Sequence, residues 1–381
     1  MISSRSHKIP PFLVMDVLER AKALEAQGRS VVHLEVGEPD FDPPAKVKQA
    51  AVHAIERGET HYTHSMGILP LRQAIADYYW RRYDVSIDPQ HIIVTQGTSP
   101  GLLLILCALI NPGDQVILTN PAYACYPNFI RYIGGEPVQL PVDAVNDFIP
   151  DPEQVARAIT PRTKAILINS PSNPTGTLIP PEILKQLAKL DLPIISDEIY
   201  HGLVYHDVEH SILEYTDRAF VLNGFSKYYA MTGFRIGYII APPEFVRPMQ
   251  KSQQNLFICA SSISQWAALS ALTENHPELA DMVKTYDKRR RFVLETLPKL
   301  GFKVTSEPKG AFYVLADARF LSSDSLALAF DILDNAYVAL DPGIDFGSHA
   351  EGFLRFSYAN SMEQIKVGME RLGEYIQNQA L

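Results

Sequence analysis

The chain has 381 residues, 46% of them hydrophobic and 20% charged, with a formal net charge of -9 at pH 7. That length can bury a core large enough for two domains, and the acidic balance gives no support for a nucleic-acid partner, which usually shows a basic patch or stripe. No run of about 18 apolar residues offers a membrane span, the N-terminal MISSRSHKIPPF lacks the apolar centre of a signal peptide, and Cys107, Cys125 and Cys259 form no close pair, so a reducing, cytoplasmic setting is expected.

In chain order, Phe12 to Ala26 places Val14, Val17, Leu18, Ala21 and Leu24 at helical spacing and stops at Gly28. Val31 to Val36 reads as a short strand running into GEPDFDPP, a turn-rich loop whose plainest reading is a linker. Ala45 to Arg57 and Leu71 to Tyr83 are helical patterns. Between them lie His61 and His64, which lack a third ligand and so make a weak metal signal. No metal is expected. Tyr62, in the same stretch, reads on its own as a packed core residue.

From His91 the alternation becomes regular. HIIVTQ, QVILTN, EPVQLPV, KAILINS, LPIISDE, AFVLNG and FRIGYII are strands, with helical patterns at Gly101 to Ile110 and Ala122 to Ile133. Short apolar strands separated by helices predict an α/β domain with a mostly parallel sheet covered on both faces. Ligands of such sheets sit outside the carboxyl ends of the strands. The candidate residues follow that rule. Thr98 and Ser99 open the helix after HIIVTQ, either as a phosphate seat or as simple caps. Tyr123 follows QVILTN, placed to stack on a flat ring, and Asn173 sits in the proline-bracketed PSNPTG after KAILINS. Asp197 and Tyr200 end LPIISDEIY, where Asp197 could be no more than a helix cap.

The run GFSKYYAMTGFRIG then sets Lys227 among small and aromatic residues, behind Ser226, with Arg235 eight positions on. A nucleophilic lysine needs a desolvated or cation-flanked site, because its ammonium form has no lone pair. Arg235 suits a phosphate or carboxylate. No GxGxxG or GxxxxGK[ST] occurs, which removes the main support for dinucleotide or nucleoside-triphosphate binding. After Ser264 come a helical run to Thr273, a long helix from Glu278 to Leu297, strands in KVTSEPKGAFYVLAD, YVALDPGIDFG and GFLRFSYA, and a closing helix from Ser361 to Gln377. The expected division is an N-terminal segment 1–44 joining a small domain, a large domain 45–276, and the small domain 277–381. Arg355, between apolar residues of FLRFSYA, needs an anion to offset its desolvation: an internal ion pair or a ligand carboxylate.

GFSKYYAMTGFRIG resembles, position by position, the lysine signature of the class I/II aminotransferases, the fold-type I, aspartate-aminotransferase-like enzymes. Gly224, Ser226 and the Gly233-Phe234-Arg235-Ile236-Gly237 run all match. The GEPDF loop, NPTG, DEIY and FLRFSYA keep the family's order, so the resemblance spans almost the whole chain. It implies a large domain with a mostly parallel sheet sandwiched by helices, plus a smaller α+β domain built from the N- and C-terminal segments. It further implies pyridoxal 5'-phosphate held on Lys227 as a Schiff base, with Asp197 at the pyridine nitrogen and Tyr200 at the phenolic oxygen. Tyr123 and Asn173 would pack on the ring, and Thr98, Ser99, Ser226 and Arg235 would surround the phosphate. Tyr62 would reach the partner's cofactor phosphate across a homodimer with shared active sites.

The resemblance also assigns the substrate side. Arg355 would take the α-carboxylate with Asn173, Tyr123 and the Gly37 backbone, as an amino group moves between an L-α-amino acid and a 2-oxo acid (2-oxoglutarate or pyruvate). Ser99 stands where aspartate-using members carry a lysine, which argues against aspartate. Phe12, Tyr123 and Tyr126 leave room for neutral or aromatic side chains. Two alternatives share the scaffold: a carbon–sulfur β-lyase, and a non-catalytic sensing module. Regulators of the second kind carry an added DNA-binding domain, for which the stretch before Val31 is too short.

Overall fold

Among the residues described in the computed structural model (7 and 9–379), the strands in chain order are β1 (Val32–His33), β2 (Ile92–Thr95), β3 (Gln115–Asn120), β4 (Glu136–Pro141), β5 (Thr163–Asn169), β6 (Ile194–Asp197), β7 (Ala219–Gly224), β8 (Gly237–Ile240), β9 (Tyr313–Asp317), β10 (Val338–Ala339), β11 (Asp341–Pro342) and β12 (Phe353–Ser357). Most of the N-terminal stretch in which no apolar leader is expected lies outside the described residues.

Strands β2 to β8 form one sheet in the order β2-β8-β7-β6-β5-β3-β4. Strands β3 to β7 pair in parallel, whereas β8 is antiparallel to both of its neighbours, β7 and β2. Six strands therefore end on one edge and β8 begins there. The apolar runs follow from burial on both faces. Ile166, Ile168, Ile194 and Val221 point into one core, while Ala165, Leu167, Ile195, Phe220 and Leu222 point into the other. Alternate side chains of a strand face opposite ways, so a sheet covered on both sides has no polar register.

A second unit joins the chain ends. β1 pairs in parallel with β10, and β9, β12 and β11 form a three-stranded antiparallel sheet. Val17, Ala21 and Leu24 of the helix Leu13–Ala26 pack on Leu333 and Ala339. The architecture is thus a mostly parallel sheet flanked by helices with a separate small domain. No described helix is long and apolar enough to cross a membrane.

Several elements differ from expectation in extent. The strand expected over Val31 to Val36 is only Val32–His33, and the helix expected from Ala122 starts at Cys125. YVALDPGIDFG yields two two-residue strands and a short 3-10 turn, because Val338–Ala339 pairs with β1, Asp341–Pro342 pairs with β12, and the turn begins at Gly343. Helices Pro243–Leu256 and Ser325–Ala336 have no counterpart in the expected elements.

Candidate active site

The carboxyl edge of the large sheet opens onto a cavity of about 300 Å³. Eleven of the twelve expected site residues line it: Gly37, Thr98, Ser99, Tyr123, Asn173, Asp197, Tyr200, Ser226, Lys227, Arg235 and Arg355. Their placement follows from the strands. Thr98, Tyr123, Asn173, Asp197 and Lys227 come at or after the ends of β2, β3, β5, β6 and β7. Arg235 instead precedes β8, and the reversed direction of that strand returns it to the same edge. Tyr62 does not line the cavity; it is 80% exposed in this chain.

Lys227 is half-buried at the cavity wall. Its Nζ donates to the Gly37 carbonyl at 2.5 Å. Desolvation pushes it down to about 8; Glu38 opposes that shift, and the cations Arg355 and Arg235 add to it. A lysine near 8 has a usable fraction of free amine at neutral pH, unlike one at its ordinary value. Gly37 can approach closely only because it has no side chain: a Cβ there would lie 2.1 Å from the Tyr313 hydroxyl oxygen.

Asp197, buried at the end of β6, accepts from the Tyr126 hydroxyl at 2.7 Å and from the Ile199 N–H at 3.1 Å. Burial raises its carboxyl to about 6, and those two hydrogen bonds limit the rise. Tyr126 was expected to leave room for a substrate side chain. It lines the cavity but is only 3% exposed, and its hydroxyl is committed to Asp197. The Tyr200 and Tyr313 hydroxyls lie 2.8 Å apart. Burial pushes the Tyr200 phenol well above its usual range, which keeps it an O–H donor.

Another part of the cavity wall has the features of an anion seat. Gly97 is the N-cap of the helix Thr98–Leu109 and supplies no side chain to it, so neither Thr98 nor Ser99 is the cap. A helix N-terminus without a side-chain acceptor presents its first N–H groups to an anion. The Arg235 guanidinium lies over it, 2.8 Å from where a Gly97 Cβ would stand. Backbones meet directly here. A Cβ on Gly237 would fall 3.0 Å from both the Asn223 carbonyl oxygen and the Gly97 carbonyl carbon, and one on Gly224 would fall 3.0 Å from the Gly237 Cα.

Arg355 faces the cavity from the small domain. Nη1 donates to Asn173 Oδ1 at 2.8 Å, Nη2 donates to the Glu35 carbonyl, and Nη2 lies 2.7 Å from Asp341 Oδ2. The guanidinium carbon stacks 4.3 Å from the Tyr313 ring centroid and 4.9 Å from that of Phe346. Both sequence readings of Arg355 therefore coexist, ion pair and cavity lining. The Asn173 N–H is fixed by Asn169 Oδ1 at 2.8 Å, and Asn169 Nδ2 donates to the Asp197 carbonyl at 2.9 Å. Asn169, Tyr313 and Asp341 went unnoticed in the sequence. Asn169 alone carried a signal, since it ends a strand at the edge where the other candidates cluster.

An amine, a buried carboxylate and an anion seat around one cavity define an enzyme that handles amino groups through a phosphorylated cofactor. Residues 29–372 match the model of the family described as aminotransferase class I and II. The (5-formylfuran-3-yl)methyl phosphate transaminase of Methanocaldococcus jannaschii is 44% identical, over 99% of this chain and 100% of that one. The aspartate/prephenate aminotransferase of Thermus thermophilus is 39% identical over 98% of each. Among solved structures, Thermus thermophilus aspartate aminotransferase with maleate aligns at TM-score 0.94 and 39% identity, covering 98% of this chain and 99% of that one. An aminotransferase from Mycobacterium tuberculosis aligns at TM-score 0.95 and 35% identity over all of both chains. The chain belongs to the class I and II aminotransferases and is a pyridoxal-phosphate-dependent transferase. Its residues fit that cofactor: the seat under Arg235 suits the phosphate, Asp197 a protonated ring nitrogen, and Lys227 the aldehyde.

Proposed function

We propose that this enzyme moves an amino group between an L-α-amino acid with a neutral or aromatic side chain and a 2-oxo acid, 2-oxoglutarate or pyruvate. The observation that carries this reading is Arg355 and Lys227 lining one cavity, with Asn173 tied to Arg355 at 2.8 Å. An Arg–carboxylate pair fixes a plane as well as a charge. Arg355, Asn173 and the Gly37 backbone would therefore orient the substrate so that its Cα–H bond faces the cofactor.

When bound, pyridoxal phosphate supplies an aldehyde that condenses with amines and a ring that withdraws electrons from the substrate Cα. Thr98, Ser99, Ser226 and Arg235 would hold the phosphate, Tyr123 the ring face, and Tyr200 the phenolic oxygen. Asp197 would keep a proton on the ring nitrogen. Lys227 would carry the cofactor at rest and, once released, move the proton at Cα with its free amine, work that suits a group near neutral pKa.

The cations lining the cavity are Lys227, Arg235 and Arg355. Each has a role already, and Ser99 adds none, so among the described residues lining the cavity no further cation is left for a distal carboxylate. We also infer a homodimer with shared sites. Tyr62 is exposed, with Val52, Ile55 and Leu69 exposed on the neighbouring helices, as an apolar interface requires. A second reading, with a phosphorylated aldehyde as amino acceptor, draws on the 44% identity to the transaminase named for one.

The test is a spectrum of the holoenzyme with a panel of amino acids, followed by a panel of acceptors. Conversion to the pyridoxamine form by neutral or aromatic amino acids, reversed by a 2-oxo acid, is expected. Borohydride reduction should leave the pyridoxyl label on Lys227. Reversal by a phosphorylated aldehyde alone would favour the second reading, and release of pyruvate and ammonia without an acceptor would mean a lyase.

A further inference from the structure

Arg355 is held by more groups than its orientation needs. Asn173 Oδ1 and the Glu35 carbonyl fix its two terminal nitrogens, and the Tyr313 and Phe346 rings fix its plane. Asp341 adds little to that geometry. It is the cross-strand partner of Arg355 in the β11–β12 ladder, is fully buried, and lies 2.7 Å from Nη2. Yet neither of its oxygens has a hydrogen-bond partner among the described residues. What Asp341 contributes is charge.

Two other acids lie nearby, and each has partners of its own. Glu35 Oε1 is bonded to His33 Nδ1 at 2.7 Å, and Asp345 accepts from the Leu13 and Val14 N–H groups at 3.0 and 3.3 Å. Of the three acids, only Asp341 has no described partner besides Arg355. The groups facing it are Arg355 on β12, Tyr313 on β9, Glu35 after β1 and Asp345 in the turn Gly343–Phe346. The two helices packed on β11 turn inward only Val14, Val17, Ala21 and Leu24 from one, and Ser325, Leu328, Ala329, Ile332, Leu333 and Ala336 from the other.

We propose that Asp341 is a specificity-determining residue, a resident carboxylate that an incoming substrate carboxylate must outcompete for Arg355. The inference rests on Arg355 as the carboxylate anchor. Two like charges on either side of one guanidinium, about 6 Å apart at an effective dielectric of about 20, weaken binding roughly tenfold to a hundredfold. Asp341 thereby turns a strong anion clamp into a weak one, so that more of the selectivity falls on the rest of the substrate. Burial raises the Asp341 carboxyl and Arg355 lowers it. The competition exists only where Asp341 is ionised, and it therefore grows with pH.

Holoenzyme binding of 3-phenylpropionate and of its uncharged amide, measured by calorimetry near pH 6 and near pH 9, tests this. Asp341→Asn should bind the acid roughly tenfold to a hundredfold tighter than wild type near pH 9, with a smaller gap near pH 6 and no change for the amide. Titrations shared by both proteins cancel in the ratio. Asp341→Ser, which also removes the charge, should behave alike and serves if the Asn variant does not fold. Equal or weaker acid binding in a folded variant overturns the proposal and leaves Asp341 a structural residue. Arg355→Gln separates the two failures. If it leaves acid binding unchanged, Arg355 is not the anchor and both readings fall; if it abolishes acid binding while Asp341→Asn gains nothing, only the role of Asp341 falls.

Discussion

Replacing Tyr126 with Phe removes one oxygen and keeps the ring, whose edge-on packing with Tyr123 at 5.2 Å is unaffected. The lost group is one of two hydrogen-bond donors to the Asp197 carboxylate; the Ile199 N–H remains. A hydrogen bond to a buried charge is worth about 1.5–3 kcal/mol, or about one to two pH units of the acceptor's titration. Losing a donor to the charged form favours the neutral acid, so the direction is upward. Asp197 already stands at about 6; the variant should carry it to roughly 7–8. At neutral pH much of it would then be protonated and unable to hold a positive ring nitrogen. The pH profile of kcat/KM is the assay. Its acid limb should move up by about one to two units, with activity near pH 9 recovering to within a few-fold of wild type. An acid limb that coincides with that of wild type would refute the assignment of Tyr126 as the group that sets Asp197. A uniform loss at all pH values would point to packing instead.

Two further outcomes follow from the same site. Asp197→Ala should keep the fold and lose on the order of 10³-fold in kcat, about 4 kcal/mol, read in steady-state kinetics with saturating cofactor. Tyr62→Phe should weaken cofactor binding roughly tenfold to a hundredfold by equilibrium titration. Mixing inactive Lys227→Ala chains with inactive Tyr62→Ala, Arg355→Ala chains should restore part of the activity; hybrids that form and stay dead would exclude a shared site.

The sequence made much of the cofactor side of the site legible because most of its residues lie at or just beyond the end of a strand. Position and neighbours singled out Lys227, Asp197, Asn173 and Thr98 as candidates, with a plain helix cap still open for Thr98 and Asp197, and the resemblance gave each its expected role. What escaped was of two kinds. The helix Pro243–Leu256 is one-sided, but it carries Pro248 and few apolar residues, so its stripe is thin; Ser325–Ala336 is apolar on most faces, which blurs the periodicity that marks a surface helix. Asp341 and Tyr313 act through contacts made across the small sheet, by residues distant in sequence from the motifs. Tyr126 was visible as an aromatic near the site, but its bond to Asp197 depends on the turn of the helix Cys125–Tyr132, which spacing does not encode.

The meeting of Gly97, Gly224 and Gly237, backbone against backbone, has a consequence for how this enzyme can diverge. The floor that carries Lys227 and Arg235 is clamped by main chain, where a Cβ at Gly237 or Gly224 would stand 3.0 Å from backbone atoms, closer than side chains ordinarily come. Point mutation has little purchase there. The ceiling is made of ordinary side chains from other segments, among them Phe12, Val14, Met15 and Val36, and these can be exchanged one at a time without disturbing the floor. New substrate preferences are therefore accessible through single changes in the first forty residues, while the chemistry beneath them is inherited intact.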